Sequence, residues 1–405
     1  MQGPLSGVKV LDLTTFVAAP VCCRLMADLG AEVIKVERPD GDTWRQTGKG
    51  YNTNRFSDQE NPVFDIYNSG KKHIALNLKD PDGMAVFKKL LGWADVFVTN
   101  TRPAALRRLG ISYEDLKDEY PSLIYGIVEG YGEKGPAKDD PAFDTTAFWS
   151  RSGFLRDMAA DGEHYTPVLP PYGVGDTVTG YLLLSQVLAA LYRRVQTGKG
   201  DFVCSSLYHN GIFTMGTMQI ISQAPWGKTW PMTRVAYGVP GGSYRCADGE
   251  YIYISISYAE KKLLPLLYKM IGREDLLTHP KFCDGPTGRK YPEEYYAVIR
   301  DAILTQPSSH WLKLARENDI PLVLMNHFKD VTQDEQAWAN NYLEHMHYPN
   351  GNVDIMPRSP LEMASLGPVD TKQAPGIGAD TDSVLTAFGY SAEELQRMKD
   401  SGAIK

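Results

Sequence analysis

A glycine-rich turn, Gly173-Val174-Gly175-Asp176, delivers one carboxylate to the start of an apolar helix predicted to run from Asp176 to about Val195. Asp is a preferred N-cap residue, so Asp176 could simply accept hydrogen bonds from the first helical turn. Alternatively, the helix dipole and nearby amides would keep the carboxylate ionised, and the glycines would leave room above it for attack on a thioester or anhydride carbon. The segment by itself favours the cap.

Basic residues stand at the ends of several predicted strands. Arg38 follows the second strand, Lys72 precedes the third, and Arg102 and Arg108 come shortly after Asn100. Ligands of open α/β sheets bind beyond the carboxyl ends of the strands, so Arg38, Arg102 and Arg108 could converge on one anion. Such side chains suit phosphate, and coenzyme A (CoA) offers a 3′-phosphate and a pyrophosphate. Each residue could equally belong to a solvated helix end.

Other familiar sites are weak or missing in the sequence. Residues Gly130 to Gly135, GYGEKG, formally match the dinucleotide fingerprint, but Pro136 follows where a helix should begin, which favours a flexible loop. His345 and His347 would share one face of a strand, yet no carboxylate or thiol stands at a ligand spacing, so no metal site is predicted. Neither a G-x-S-x-G elbow nor a P-loop occurs.

Composition narrows the class of protein. The 405 residues include 42 Lys and Arg against 49 Asp and Glu, a net charge of −7 that argues against a nucleic-acid partner. The five scattered cysteines form no C-x-x-C pair and favour a reducing compartment. The N-terminal segment carries no signal-peptide pattern, and the apolar stretch from Gly180 to Tyr192 is too short to cross a membrane. We expect a cytoplasmic enzyme without a membrane partner.

The elements that must position these side chains form an α/β pattern. Continuous β-branched runs, beginning with Val8 to Leu13 and Glu32 to Glu37, alternate with helical patterns over the first 130 residues, which predicts an open, doubly wound parallel sheet. A long helix is predicted from Ser206 to Ser222 and a hairpin from Ser243 to Ile256. Near the C-terminus, the segment SAEE matches a helix capping box, and that helix is expected to return to the first domain.

Six segments in this order resemble the class III CoA-transferases, the family of formyl-CoA and carnitine CoA-transferases. The segments are LSGVKVLDLTTFVAAPVCCRLMADLGAEVIKVERPDGD, NSGKKHIALNLKDPDG, DVFVTNTRPAALRRLGI, GYGEKGPAKDDPAFD, PPYGVGDTVTGYLLLSQVLAALYRRVQTGKGDFV and GYSAEELQRMKDSGAIK. A further segment, DEQAWANNYLEHMHYPNGN, is most similar to the cinnamoyl-CoA:phenyllactate and isocaprenoyl-CoA:2-hydroxyisocaproate branch of amino-acid fermentation.

The resemblance implies a Rossmann-like sheet in a discontinuous large CoA-binding domain, a small α+β domain, and a homodimer of interlocked rings. On this reading, residues 1–205 and 345–405 form the large domain, 206–230 a linker helix region, 231–325 the small domain and 326–344 a return linker. CoA and acyl-CoA are substrates, with no permanently bound cofactor and no metal.

The resemblance also assigns roles to residues. It makes Asp176 the nucleophile, which would form an aspartyl anhydride and then an aspartyl-CoA thioester. Arg38 and Arg108 match the CoA-phosphate contacts, and the positions that line the CoA channel are Phe16, Lys72, Leu76, Asn100, Leu109 and Tyr131. A glycine-rich loop that shields the anhydride corresponds to Gly238, Gly241 and Gly242.

Several positions depart from the family pattern. Val17 replaces a glutamine of formyl-CoA transferases, which makes the acyl pocket less polar and favours a bulky apolar acyl group over oxalate or formate. Thr101 and Glu129 also differ from the usual residues. The α-methylacyl-CoA racemase alternative needs a His-Asp pair, but this chain has Phe143-Asp144. A non-catalytic CoA-binding protein, with Asp176 as a mere cap, remains a further alternative.

Overall fold

The computed structural model describes residues 3–51, 60–158, 170–227, 239–256 and 260–405. The described residues form two compact units. The first draws on three stretches of the chain, 1–154, 169–220 and 334–405, and therefore contains both ends of the chain. The second is made of 155–168 and 221–333.

A six-stranded parallel sheet forms the centre of the first unit, with strand order β3-β2-β1-β4-β5-β6. Its strands are β1 (Lys9–Leu13), β2 (Glu32–Glu37), β3 (Lys72–Ala75), β4 (Val96–Thr99), β5 (Ile124–Glu129) and β6 (Asp201–Ser206). The order reverses direction at β1, so the predicted open, doubly wound sheet is confirmed. Continuous apolar runs suit these strands because both faces of such a sheet are covered.

Helices cover the sheet and connect its strands. They are α1 (Ala18–Asp28), α2 (Pro62–Asn68), α3 (Pro81–Trp93), α4 (Pro103–Leu109), α5 (Tyr113–Leu116) and α7 (Val174–Thr197). The short α6 (Phe154–Asp157) lies where the chain enters the second unit, and α8 (Leu207–Thr214) and α9 (Gly216–Ile221) follow the last strand of the sheet. The prediction of one helix from Ser206 to Ser222 is wrong, because α8 and α9 are separated at Met215. Thr214 and Gly216, which flank the break, both have weak helix propensity.

Each face of the sheet has its own apolar core. On one face, Val10, Val33 and Val98 pack with α1 and α7. Gly180 makes this packing close: a Cβ atom there would lie 2.6 Å from the Ala18 carbonyl oxygen. The α1–α7 contact therefore brings the amino ends of two helices side by side at the carboxyl edge of the sheet, and these ends carry the candidate site.

Helix α7 has 24 residues and is long and apolar enough to cross a bilayer by length and composition alone. It is longer than the predicted apolar stretch. Its Leu183, Leu184, Val187 and Leu191 side chains are buried in the core shared with α1. The structure therefore accounts for the apolar composition of α7 as a core helix.

The second unit contains an antiparallel sheet of order β7-β8-β9, with strands β7 (Gly242–Arg245), β8 (Tyr251–Ile254) and β9 (Leu322–Leu324). The predicted hairpin between β7 and β8 is confirmed. Its helices are α10 (Glu260–Met270), α11 (Gly285–Gly288), α12 (Pro292–Ile303), α13 (Ser308–Glu317) and α14 (Phe328–Val331). They enclose an apolar core that includes Tyr244, Leu267, Tyr295 and Trp311.

The chain then returns to the first unit through α15 (Glu335–Ala339), the hairpin of β10 (Leu343–His347) and β11 (Val353–Pro357), α16 (Thr381–Ala387) and α17 (Ala392–Asp400). Ser391 and Glu394 form the predicted capping box at the start of α17. Leu385 and Met398, from α16 and α17, pack on the second face of the sheet. Within the described ranges, no group of three or more His, Cys, Asp or Glu residues could hold a metal ion.

Candidate active site

Asp176 lies inside the first turn of α7 rather than at its cap. The residue that precedes the helix, Gly173, has a left-handed backbone with φ of +77°, which glycine adopts without steric cost, and has no side chain to cap the helix. The half-buried Asp176 side chain makes no hydrogen bond to any described residue. The capping role considered for Asp176 is therefore wrong.

A carboxylate from another part of the chain caps α7. Asp144 begins a π-helical turn, Asp144–Ser150, and its Oδ2 accepts a hydrogen bond from the Gly173 backbone N–H at 3.0 Å. A Cβ atom on Gly175 would lie 2.2 Å from Asp144 Oδ1 and 2.4 Å from the Phe148 ring, so only glycine fits at position 175. The turn and the helix start are thus built around the buried Asp144.

The electrostatics of Asp176 differ from the sequence-based expectation. Burial and the nearby charge of Asp144 raise the pKa of Asp176 to about 7. The expectation that nearby amides would favour the ionised form is wrong, because the N–H groups of Gly173, Gly175 and Asp176 act on Asp144 instead. Burial still raises the pKa of Asp144, against the lowering effect of those N–H groups. At neutral pH, a large fraction of Asp176 is nevertheless ionised.

Apolar and aromatic side chains stand beside the glycine turn. A Cβ atom on Gly173 would lie 3.7 Å from Val17 Cγ1 and 3.4 Å from the Tyr67 hydroxyl. The Phe16 ring lies 5.7 Å from the Phe143 ring in an edge-to-face arrangement, and 6.2 Å from the ring of Trp44. We call these five side chains, Phe16, Val17, Trp44, Tyr67 and Phe143, the apolar wall.

Hydrogen bonds hold the loop that carries Phe16 and Val17. Phe16 has a φ of +63°, unusual for a residue with a side chain, and its N–H donates to Asp42 Oδ1 at 3.3 Å. Asn100 donates to the Thr15 carbonyl at 2.7 Å and accepts from the Thr15 N–H at 2.9 Å. Asn100, expected to line the CoA channel, therefore also positions the loop between β1 and α1.

The residues expected to contact CoA do not all lie at one edge of the sheet. Phe16, Arg38, Leu76, Asn100 and Tyr131 each follow the carboxyl end of a different strand, from β1 to β5. Arg38 is exposed and pairs with Asp40 at 3.1 Å. Leu76 is buried and forms a backbone bridge with Ile404, whereas the Tyr131 ring is half-buried beneath the Arg151 guanidinium.

Arg108 and Leu109 end helix α4, which begins just beyond the carboxyl end of β4. The Arg108 side chain is exposed, and no carboxylate of the described ranges pairs with it. Leu109 is half-buried against the second apolar core. Arg108 is therefore available to an anion, whereas Leu109 contributes at least partly to packing.

Lys72 is separated from the other expected CoA contacts. It is the first residue of β3, at the amino edge of the sheet, and its Nζ pairs with Glu32 Oε1 at 2.7 Å. Because the strands are parallel, this edge is opposite the one at which Arg38 and Asn100 lie. In the sequence, Lys72 looked like another basic residue at the end of a strand. Because it precedes β3 rather than following it, the strand direction places it at the amino edge of the sheet.

The expected glycine loop is described only in part. Gly238 lies outside the described residues. Gly241 and Gly242 belong to the second unit, where Gly242 opens β7 with a φ of +114°. The shielding role of this loop stays a prediction.

The sequence analysis did not predict that Asp144 caps α7. It considered Asp144 only in the comparison with the racemases, where Phe143 replaces the histidine of a His-Asp pair. It also missed Trp44 and Tyr67 in the apolar wall. The one available signal for Asp144 was Gly173 at the N-cap position, since a helix that lacks a capping side chain of its own needs an acceptor from elsewhere.

Comparison with known proteins gives a consistent result over almost the whole chain. The model of CoA-transferase family III matches residues 5–381. The chain is 38% identical over 403 residues to (R)-2-hydroxy-4-methylpentanoate CoA-transferase of Clostridioides difficile, covering 99% of each chain. It is 36% identical over 399 residues to cinnamoyl-CoA:phenyllactate CoA-transferase of Clostridium sporogenes, covering 97% of this chain and 95% of that one.

Solved structures show the same fold. The orthorhombic crystal structure of Rv3272 from M. tuberculosis superposes with a TM-score of 0.81 at 27% identity, covering 94% of this chain and 98% of the other. A CAIB/BAIF family protein from Brucella suis gives a TM-score of 0.80 at 24% identity, covering 96% of this chain and 100% of the other.

Proposed function

The chain belongs to CoA-transferase family III and is a CoA-transferase, and from this premise we propose that it transfers CoA from an enoyl- or acyl-CoA to an (R)-2-hydroxy acid with an aryl or branched-alkyl side chain. The observation that carries the proposal is Asp176: a half-buried carboxylate without a hydrogen-bond partner among the described residues, at a glycine turn beside the apolar wall. The two relatives named above are CoA-transferases for acids of this kind.

The reaction begins at Asp176. A carboxylate oxygen attacks the carbonyl carbon of the donor thioester, the carbon–sulfur bond breaks, and CoA leaves as a thiolate, which creates a mixed anhydride. The thiolate then attacks the Asp176 carbonyl carbon, the anhydride carbon–oxygen bond breaks, and the donor acid leaves as its carboxylate. An aspartyl-CoA thioester remains.

The second half repeats these exchanges with the acceptor. Its carboxylate attacks the aspartyl thioester carbon, thiolate leaves, and a new mixed anhydride forms. Thiolate then attacks the acceptor carbonyl carbon, which releases the acceptor acyl-CoA and returns Asp176 as a carboxylate. Every step exchanges one acyl bond to oxygen or sulfur for another, so the proposal requires no resident metal or redox cofactor.

The apolar wall supports the proposed class of acyl group. Phe16, Trp44 and Phe143 offer ring surfaces that pack well on an aryl or branched-alkyl chain. Val17 offers no hydrogen bond to a second carboxylate such as that of oxalate. The racemase alternative is disfavoured because Phe143 stands where that enzyme needs its histidine base.

The experiment that tests this function is a transfer assay with paired substrates. We expect cinnamoyl-CoA with phenyllactate, or an isocaprenoyl-CoA with 2-hydroxyisocaproate, to react at least about 100-fold more efficiently, as kcat/KM, than formyl-CoA with oxalate. Chromatography of the CoA esters measures each rate. Equal efficiency for oxalate would contradict the acyl specificity, and CoA binding without any transfer would favour a non-catalytic CoA-binding protein.

CoA is proposed to bind across the carboxyl edge of the sheet, with Arg38 and Arg108 on its phosphates. We expect Arg108→Ala to raise the KM for acyl-CoA about 10-fold and leave kcat nearly unchanged, because it removes a charge-assisted contact remote from the reacting bond. Steady-state kinetics measure both constants. Arg107→Ala is the matched control, since Arg107 is the adjacent exposed arginine of α4. Equal effects of the two variants would contradict a specific phosphate contact.

The proposal includes an interlocked homodimer in the cytoplasm. Exposed apolar side chains on α7 to α9 suit burial against a second copy, among them Tyr192, Val195, Phe213 and Ile220. The free thiols of Cys22, Cys23, Cys204, Cys246 and Cys283 suit a reducing compartment.

A further inference from the structure

Helix α7 begins without a cap of its own. The first N–H groups of a helix have no partner within the helix, and they are usually satisfied by a side-chain oxygen of the N-cap residue. At α7 the N-cap residue is Gly173, and no side-chain cap hydrogen bond is formed from that position. An acceptor must therefore come from outside the helix.

Asp144 supplies that acceptor from 29 residues earlier in the chain. Its side chain is buried, with 7% of the residue exposed, and its Oδ2 lies 3.0 Å from the Gly173 backbone nitrogen. The other oxygen, Oδ1, lies against Gly175, where an added Cβ would be only 2.2 Å away. One carboxylate thus contacts the two glycines that precede Asp176.

We propose that Asp144 is a positioning residue for CoA transfer: its buried carboxylate replaces the missing cap of α7, fixes the Gly173–Gly175 turn, and leaves the carboxylate of Asp176 ready to attack, without a hydrogen bond to any described residue. This inference rests on the proposed role of Asp176 as the nucleophile. The two carboxylates then have different roles, in which Asp144 accepts the hydrogen bond of the Gly173 backbone N–H and Asp176 reacts.

The charge of Asp144 also acts on Asp176. Within the described structure, Asp144 is the one charged group that shifts the pKa of Asp176, and it raises that pKa together with burial. The other side chains at the turn are uncharged: Val17 from the start of α1, Tyr67 from α2 and Phe148 from the π-helical turn. A more basic carboxylate is a stronger nucleophile once ionised. The negative charge of Asp144 therefore makes ionised Asp176 more reactive, but it lowers the fraction of Asp176 that is ionised.

The decisive comparison is between Asp144→Asn and Asp144→Ala. Asparagine keeps an oxygen that accepts from the Gly173 N–H but removes the charge. We therefore expect the acidic limb of the kcat/KM profile, near pH 7 in the wild type, to move about one unit to lower pH. Alanine also removes the cap, and we expect kcat to fall about 100-fold, because the nucleophile is no longer held in place. Asp144→Asn should keep most of the wild-type kcat, because asparagine still caps the helix.

A second readout does not depend on transfer activity. Wild type and variants are labelled with a water-soluble carbodiimide and an amine over a range of pH, and peptide mapping measures the fraction modified at Asp176 relative to the exposed Asp118 in the same sample. We expect the pH midpoint at Asp176 to fall in Asp144→Asn. If the proposed function fails, the wild type shows no transfer, yet this midpoint still reports on Asp144.

Asp140→Asn is the matched control, because Asp140 is an exposed carboxylate in the same segment, and it should leave the kcat, the pH profile and the labelling unchanged.

If both Asp144 variants fold poorly, Gly175→Ala provides the test: it keeps the Asp144 charge but displaces its carboxylate, and kcat should fall while the KM for acyl-CoA changes little. The proposal would be overturned if both Asp144→Asn and Asp144→Ala kept the wild-type kcat and the wild-type labelling midpoint. It would also be overturned if Gly175→Ala kept the wild-type kcat.

Discussion

Replacing Asp176 with alanine is expected to lower the kcat of CoA transfer by at least about 1,000-fold, because the variant lacks the carboxylate proposed to form both covalent intermediates. Asp176→Asn should be similarly impaired, since a neutral amide is a poor nucleophile. CoA binding should persist in both variants, because the proposed phosphate contacts come from Arg38 and Arg108. Kinetics of transfer and calorimetry of CoA binding measure the two properties separately.

Trapping identifies the covalent step directly. Brief incubation of the wild type with an aryl-acrylyl-CoA or isocaprenoyl-CoA, followed by intact-protein mass spectrometry, should reveal a CoA or acyl adduct. Hydroxylamine should convert it to a hydroxamate that peptide mapping assigns to Asp176. Asp118→Asn is the control, since Asp118 is an exposed carboxylate of the same unit, and it should behave as the wild type. Full activity in folded Asp176→Ala would refute the mechanism.

Replacing Lys71 with methionine is expected to lower the stability of the fold far more than replacing the neighbouring Lys72. Lys71 Nζ lies 2.8 Å from Asp12 Oδ2 and also donates to the Pro20 carbonyl and the Asn68 side chain, in a fully buried setting. Burial acts to raise the pKa of Asp12, but the charges of Lys71 and Lys35 outweigh it and keep that pKa low. Removing Lys71 leaves a poorly compensated buried carboxylate, which should lower the free energy of unfolding by about 3–5 kcal/mol.

The neighbouring lysine provides the matched control. Lys72 is about half-exposed, and its one ion pair with a described residue is with Glu32 at the sheet edge, so Lys72→Met should change the free energy of unfolding by less than about 1 kcal/mol. Denaturant titrations of both variants give the comparison. Replacing Asp12 with leucine together with Lys71→Met should recover part of the loss. Similar stabilities of the two single lysine variants would contradict the importance of the buried pair.

The same group of buried charges also holds the loop that forms part of the candidate site. Lys35 Nζ donates to the Thr14 carbonyl at 2.7 Å and pairs with Asp42 at 3.1 Å, and Asp42 in turn accepts from the Phe16 N–H. These contacts hold the loop that presents Phe16 and Val17. The ion network thus connects the stability of the sheet with the position of the apolar wall.

Local patterns were sufficient for much of the fold. The β-branched runs of β1 and β2 predicted buried parallel strands, because a strand covered on both faces needs apolar residues on both. The capping box at Ser391 and Glu394 was equally readable, since its partners are only three residues apart. The order of six segments was enough to indicate the family and to single out Asp176.

The contacts between distant segments were decided only by the tertiary structure. Asp144 caps α7, Asn100 fastens the loop at Thr15, and Lys72 lies at the amino edge of the sheet. The structure also reverses the expected electrostatics of Asp176: burial and the nearby charge of Asp144 raise its pKa, and the backbone N–H groups of the turn act on Asp144 instead. The sequence by itself determined which elements form and which residue is proposed as the nucleophile, since periodicity and motifs are local. The packing of α1 against α7 and the direction of each strand determined which groups surround that residue, since such neighbours are set by contacts across the fold.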